Sequence, residues 1–452
     1  MDHTINNAKT NRFIATAQAT LLAAACLLMF AMPVMADEEV PGAPQKKPIL
    51  LTGGTIHPIS SAPIENGEIL FENGKITAIG KSVKKPKGTK TLDLKGKHVF
   101  PGMIESHSHM GLTEIAAVRA TNDFSETGEV NPNVKALVSV NPDNVIIPVT
   151  RANGVLFALT APSGGLISGK SAVIQLDGWT YEDLAIKSET ALHITWPSQT
   201  LSSRRRARMT EKEIKEAEAN RAKQLHKIRD LFDQSRAYRD ARAAKDATQK
   251  YDARLEAMID VVDGKLPMMI RANKAAEIQS AIAFGVEQKL KVIILGGYDA
   301  EQCADLLKEH DVPVIISAVY RLPLRRDEGY DSSYSLPHRL ENAGVKYCIS
   351  GTDRSETWNA RTLPYHAATA VGFGLSKEEA MKSITLYAAE ILGVDDRIGS
   401  LEVGKDASMF ITDGDPLETT TKTLSAFIQG RKVDLSNRHL RLFKKYEQKY
   451  KQ

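Results

Sequence analysis

From Phe100 to about Val394 the chain alternates strand-like apolar runs with helix-like stretches, and no other feature constrains its fold as strongly. GKLPMMIRA precedes NKAAEIQSAIAFGVEQ, KVIILGG precedes YDAEQCADLLKEH, and VPVIISAVY and GVKYCISGTD follow. In the first helical stretch Ile278, Ile282 and Val286 recur every four residues, the spacing of one buried stripe. Asn273 and Asp299 stand where helix N-caps belong. Repeated strand–helix units require a parallel sheet, because a parallel neighbour is reached only through a crossover. Counted forward from the strand that ends at His107 and His109, the units predict a (β/α)8 TIM-like barrel over residues 100–395.

Two segments interrupt that rhythm. Residues 204–260 are rich in Ala, Lys, Glu and Arg, and Thr210 with Glu213 forms a capping box. This reads as a helical insertion or a lid over the mouth, with a solvated excursion as the alternative. TAPSGGLISGK, Thr160 to Lys170, hints at anion binding but lacks phosphate-loop spacing, and is expected to be a plain loop near the mouth. On either side of the barrel the texture is strands and turns. Residues 37–47 read as a linker at the head of 37–99, where Asn73-Gly74 marks a hairpin. Residues 396–435 return to strands, so the two flanks together are expected to form one small β-sandwich, leaving 436–452 as a tail.

A chain of 452 residues, 42% apolar and 25% charged, has room for a large barrel with an attachment. The net charge of +4 is small and gives no case for nucleic acid; the RRRAR run, Arg204 to Arg208, reads as a solvated face. Residues 1–36 read as a signal peptide: Lys9 and Arg12 begin it, Ile14 to Phe30 is mostly apolar, and Val34-Met35-Ala36 offers small residues before DEE. The expectation is a periplasmic or secreted protein with no stable membrane span after cleavage; the alternative is an uncleaved anchor. Cys303 and Cys348 would remain, and two buried free thiols are expected over a disulfide.

Chemistry enters at PGMIESHSHMGL, Pro101 to Leu112. Residues i and i+2 of a strand point to one face, so His107 and His109 aim two imidazoles at one place. Neutral imidazole is the commonest metal-coordinating side chain. The bland alternative is two unrelated polar residues at a strand end.

PGMIESHSH resembles the first barrel strand of the amidohydrolase superfamily, whose pattern is Pro-Gly-apolar-apolar-acid-x-His-x-His. LEVGKDASMFITDGDP resembles that superfamily's C-terminal signature, and SGTD, Ser350 to Asp353, sits where its last barrel strand ends in a metal-binding Asp. The texture is closest to imidazolonepropionase-like and prolidase-like members. The resemblance implies a (β/α)8 barrel that hydrolyses an amide, cyclic amide or peptide bond with one or two divalent ions. It implies His107, His109 and Asp353 as metal ligands, with Asp353 also the base that takes a proton from the attacking water.

The departures are as informative. The family carries a His at the end of the fifth strand and another at the end of the sixth; here those positions hold Arg271 and either Gly296 or Gly297. Arginine has no lone pair to offer a cation, and glycine has no side chain. Lys170 is a poorly placed candidate for a bridging lysine. One ion, zinc first, is therefore expected over two. Arg271 would orient a substrate carboxylate, or else pair with a protein acid. His193, His338 and His366 lie after strands or in loops and read singly as surface or packing histidines; His57, His98, His226 and His310 fall far from the expected chemistry. Two functions follow: an exported metal-dependent hydrolase of C–N bonds in small molecules or short peptides, or a catalytically impaired binding protein on the same scaffold. A homo-oligomer is compatible with either. A weaker third idea is that the basic tail RHLRLFKKYEQKYKQ docks a partner or an anionic surface.

Overall fold

In the computed structural model the described residues are 40–199, 207–317, 319–352 and 357–452, and Pro41–Gln452 group as one compact unit. The expected signal segment, Arg204–Arg206 and Asp353 therefore lie outside the described residues. The strands before the barrel are β1 (Ile49–Ile56), β2 (Ile64–Glu72), β3 (Lys75–Gly80), β4 (Lys90–Asp93) and β5 (His98–Pro101). Ten more follow: β6 (Met103–Ser108), β7 (Val155–Thr160), β8 (Ile167–Lys170), β9 (Ala172–Gln175), β10 (Ala185–Lys187), β11 (Leu192–Thr195), β12 (Met268–Ala272), β13 (Val292–Gly296), β14 (Val314–Ser317) and β15 (Tyr347–Ser350). The chain then adds β16 (Met409–Thr412), β17 (Thr423–Ile428) and β18 (Arg431–Val433).

The apolar runs MMI, VIIL, VII and YCI in β12 to β15 are buried along their length, as strands covered on both faces must be. β11 to β15 pair in parallel and in chain order, and β6 pairs in parallel with β7. Residues 167–175 join these two sets: β9 lies antiparallel on β7 and β8 lies antiparallel on β11. The described strands thus include seven parallel members, with β8 and β9 antiparallel between β7 and β11. Side chains bring β15 back beside β6, with Ser106 Oγ donating to Ile349 O (3.3 Å) and Gly351 N donating to Glu105 Oε2 (2.9 Å). The stretch expected as a plain loop is therefore half strand.

Helices cover the outside. Thr210 and Glu213 cap the long helix Glu211–Ala243 reciprocally, as the sequence predicted. That helix and Ala253–Val262 form the crossover from β11 to β12. Its buried residues include Ile228, Leu231 and Phe232, and Phe232 meets Phe284 of helix Ala275–Gln288 edge-on at 5.3 Å. From Ile228 on it packs on the flank of the barrel, whereas none of residues 211–227 is buried, the solvated half of the expected alternatives. The predicted stripe on Ala275–Gln288 holds for Ile278 and Ile282, but Val286 is 48% exposed near the helix end. Asn273 is not the cap of that helix. Glu277 Oε2 reaches back to accept from Asn273 N and Lys274 N, 3.1 Å each. Asp299 accepts instead from Ala275 N (3.3 Å) and pairs with Arg325 (3.0 Å).

The flanking segments meet in a single eight-stranded sheet, joined where β5 pairs antiparallel with β16. Asn73 (φ 52°) and Gly74 (φ 79°) make the β2–β3 hairpin turn with both central residues left-handed, the geometry that selects Asn-Gly. Leu51, Ile69, Phe71, Met409 and Phe427 fill its core. Cys303 and Cys348 are both buried and unpaired, as expected.

Candidate functional site

The site is assembled at the carboxyl ends of β6, β11 and β12. Glu105 and His107 alternate along β6, His109 follows just past its end, and the two histidine rings lie 5.9 Å apart. In β11, Thr195 pairs with Arg271 of β12, and His193 lies two residues before Thr195 on the same face. That register carries His193 to within 6.0 Å of His107, ring to ring. His193 had read singly as a packing residue; its signal was a place two residues before the carboxyl end of a barrel strand, which the sequence shows only once the strand pairing is known.

Each imidazole is fixed differently. His109 Nδ1 lies 2.6 Å from Ala161 O. A carbonyl only accepts, so Nδ1 carries the proton and Nε2 keeps a lone pair. Phe124 stacks on the same ring at 4.6 Å, and Thr357 Oγ1 accepts from His109 N at 3.2 Å. His107 Nε2 lies 3.5 Å from Arg271 Nη2, and a guanidinium only donates, so this nitrogen is the acceptor. His107 Nδ1 and His193 Nε2 are buried with no hydrogen-bond partner.

Burial keeps all three rings neutral. It holds His193 down at about 3 and His109 at about 4, with the Arg271 charge pressing both the same way; the Ala161 bond opposes it at His109. His107 lies well below its ordinary value through burial first, then Arg271, His109 and His193. Neutral imidazole is the ligating form.

Beneath them, Glu105 is fully buried. It takes bonds from Ser350 Oγ, Gly351 N (2.9 Å) and His107 N (3.3 Å). Burial pushes its carboxyl up to about 8 against those bonds. Thr352 Oγ1 donates to His107 O, and Ser350 Oγ lies 3.2 Å from the same oxygen. The end of β15, which leads to residue 353, is thereby tied to the metal-motif strand. Asp353 itself lies outside the described residues.

The other candidates resolve plainly. Lys170 Nζ is buried against Glu189 (2.6 Å), on the half of β8 that pairs with Leu192, the opposite end of β11 from the mouth. It is no bridging lysine. His366 packs on Tyr320, and His338 bonds Asn342. His57 and His98 bond each other in the flanking sheet at 3.0 Å, and His226 pairs with Asp230 on the surface helix.

Whether these residues suit the divalent ion that the motif implies is decided by their donors. His109 leaves Nε2 free to face an ion, whereas the lone pair of His107 Nε2 faces Arg271 Nη2, a contact an ion would have to displace. The described residues complete a set for neither one ion nor two. Among the described residues no group of three or more His, Cys, Asp or Glu is arranged to hold a metal. The fifth-strand position is the guanidinium of Arg271. At the sixth, Gly296 has φ +103° and Gly297 φ +64°, and a Cβ would meet Asn273 Oδ1 at the first and Val314 Cγ1 at the second. The backbone conformation and its neighbour both disfavour any side chain, a histidine included.

Residues 183–435 match the model of the Amidohydrolase family, more than half of the chain. Amidohydrolase tasK of Hapsidospora irregularis is 23% identical over 401 residues, 80% of this chain; the chain spans only 39% of that relative's length. An imidazolonepropionase of Fusobacterium nucleatum is 21% identical over 379 residues, 77% of this chain and 85% of the relative. The crystal structure of an amidohydrolase from Thermotoga maritima superposes with a TM-score of 0.75 at 27% identity, covering 85% of this chain and 99% of that one. With the barrel, the β6 histidine pair and the rejoined flanking sheet already described, the match makes this chain a member of the amidohydrolase family.

Proposed function

We propose that the protein is a metal-dependent hydrolase of C–N bonds that uses one divalent ion, with zinc the first candidate. The observation that carries this reading is the cluster of buried neutral imidazoles from His107, His109 and His193 at the strand ends. His107 and His109, together with Asp353, are assigned as ligands; three protein ligands plus water is the usual catalytic zinc arrangement. A bound ion would polarise the scissile carbonyl and lower the pKa of a water to near neutrality. Asp353 is the proposed base for that water. The carbonyl of Ala161 and the ring of Phe124 hold His109 in one tautomer and one orientation. Arg271 is assigned to orient substrate by a bidentate grip on a carboxylate. An imidazolonepropionase and an amidohydrolase among the relatives support a hydrolase of C–N bonds, and we assign it small amides or short peptides as substrates. The apolar segment before Asp37 supports export, with membrane anchoring as the alternative.

Arg271 beside His107 Nε2 favours a second reading, a binding protein without catalysis. One experiment separates them. The full chain is incubated with zinc, manganese or iron, freed of excess metal, and analysed for bound ion beside His107→Ala. Hydrolysis of dipeptides and cyclic amides is then followed with the loaded protein. A stoichiometric ion lost in the variant, with turnover of at least one amide, supports the enzyme; no ion in the wild type removes its basis.

A further inference from the structure

The C-terminal helix Arg438–Lys451 stands apart from everything used so far. Its N-terminus is anchored: Asn437 is buried and its Oδ1 accepts from Leu440 N at 3.1 Å, while His439 Nδ1 lies 3.4 Å from Arg361 Nη1. Beyond that root no residue of the helix is buried. At about 100° per residue, Leu442, Phe443, Tyr446 and Tyr450 share one face, with Leu440 at its edge. Phe443 is 66% exposed, Tyr446 51% and Tyr450 83%. Arg441, Lys444, Lys445 and Lys451 occupy the opposite side. Lys445 and Lys449 lie near the rings of Tyr446 and Tyr450, at 6.0 and 5.8 Å from their centroids.

The charge is as uneven as the apolarity. The helix has six Lys or Arg against the single Glu447, a net of +5, whereas the entire chain carries +4. The rest of the protein is close to neutral, and its positive excess is concentrated on this one element. Leaving four aromatic and aliphatic side chains in water is unfavourable, and a helix with six basic side chains against one acid attracts anions even with Lys451 paired to Glu447. A surface that supplies both anions and an apolar layer relieves both costs. A 14-residue helix is about 21 Å long, short of the ~30 Å hydrocarbon core, and no described helix is long and apolar enough to cross a membrane. Basic residues flanking an aromatic face, with tyrosine hydroxyls left wet, match a helix lying in the headgroup layer.

We propose that this helix binds the surface of an anionic lipid bilayer, with Leu442, Phe443, Tyr446 and Tyr450 turned into it and the lysines against the headgroups. The test is co-sedimentation of the full chain with vesicles of phosphatidylcholine alone or with about 30% phosphatidylglycerol, each at low and high salt. Binding to pure phosphatidylcholine reads any contribution of the apolar N-terminal segment, which all variants share. The expected result is at least tenfold tighter binding to the anionic vesicles at low salt. Lys444→Glu with Lys445→Glu should abolish that preference, and so should Phe443→Glu; high salt should erase most of it in the wild type. Equal binding to both vesicles, or a preference that survives these substitutions, would overturn the proposal. So would a preference lost only in variants whose circular dichroism shows the whole chain unfolded.

Discussion

The mouth of the barrel has two unlike halves. On the β6 and β11 side, three imidazoles are buried, neutral and held ring to ring at about 6 Å. On the β12 and β13 side, the corresponding positions are a guanidinium and a glycine whose backbone is left-handed. The first half presents imidazole nitrogens; the second offers no such donor and carries the Arg271 guanidinium instead. The difference shows that a shared scaffold does not carry its site along as a unit. Each strand end is a separate choice, made by one side chain and the backbone beneath it.

The comparison is broken most decisively at its first half. His107→Ala should cost the bound ion and lower kcat/KM by on the order of a thousandfold, about 4 kcal/mol of transition-state stabilisation. Metal analysis and initial rates check it, and an intact ion in the variant would mean that β6 is not the ligand strand. At the second half, Gly296→Ala should destabilise the fold by roughly 2 kcal/mol, since φ +103° suits only glycine. Denaturant midpoints should recover part of that loss when Asn273→Ala is added, because its Oδ1 no longer meets the new Cβ. A neutral Gly296→Ala would mean that the position is open to a ligand after all.

Arg271→Lys probes the guanidinium fork at the divide between the halves. For carboxylate-bearing substrates it should raise KM about tenfold with kcat nearly unchanged, because the planar fork is lost while the charge remains. Substrates without a carboxylate should show no such rise. The smallest effect is expected at Phe124→Leu. Losing the stack on His109 should lower kcat/KM only a few-fold, on the order of 0.5–1 kcal/mol, with metal content retained.

Much of this was legible in the residues. The apolar runs of β12 to β15, the Asn73-Gly74 turn and the Thr210/Glu213 box each express a local rule, and each appears where its rule puts it. The β6 histidines were legible for the same reason, since a period of two needs no partner to be read. His193 was not, because its role comes from pairing with Met269 of β12, 76 residues further on; that register is set by packing rather than by any local motif. Asn273 and Asp299 looked like caps, but Glu277 reached the first amide groups and Asp299 was drawn to a neighbouring helix. Residues 167–170 looked like a loop because glycine and serine are turn formers, yet the gap between β7 and β11 gave them a ladder to join.

The residues by themselves determined the strand–helix alternation, the paired imidazoles and the absence of histidine from the fifth and sixth strand ends, because these are matters of composition and short-range period. Tertiary structure alone decided that His193 joins the pair, that Arg271 confronts His107 Nε2 at 3.5 Å, and that Gly296 cannot yield its place. Those outcomes depend on how distant strands align when the cylinder closes, and the energy that selects the alignment is spread over the whole buried core.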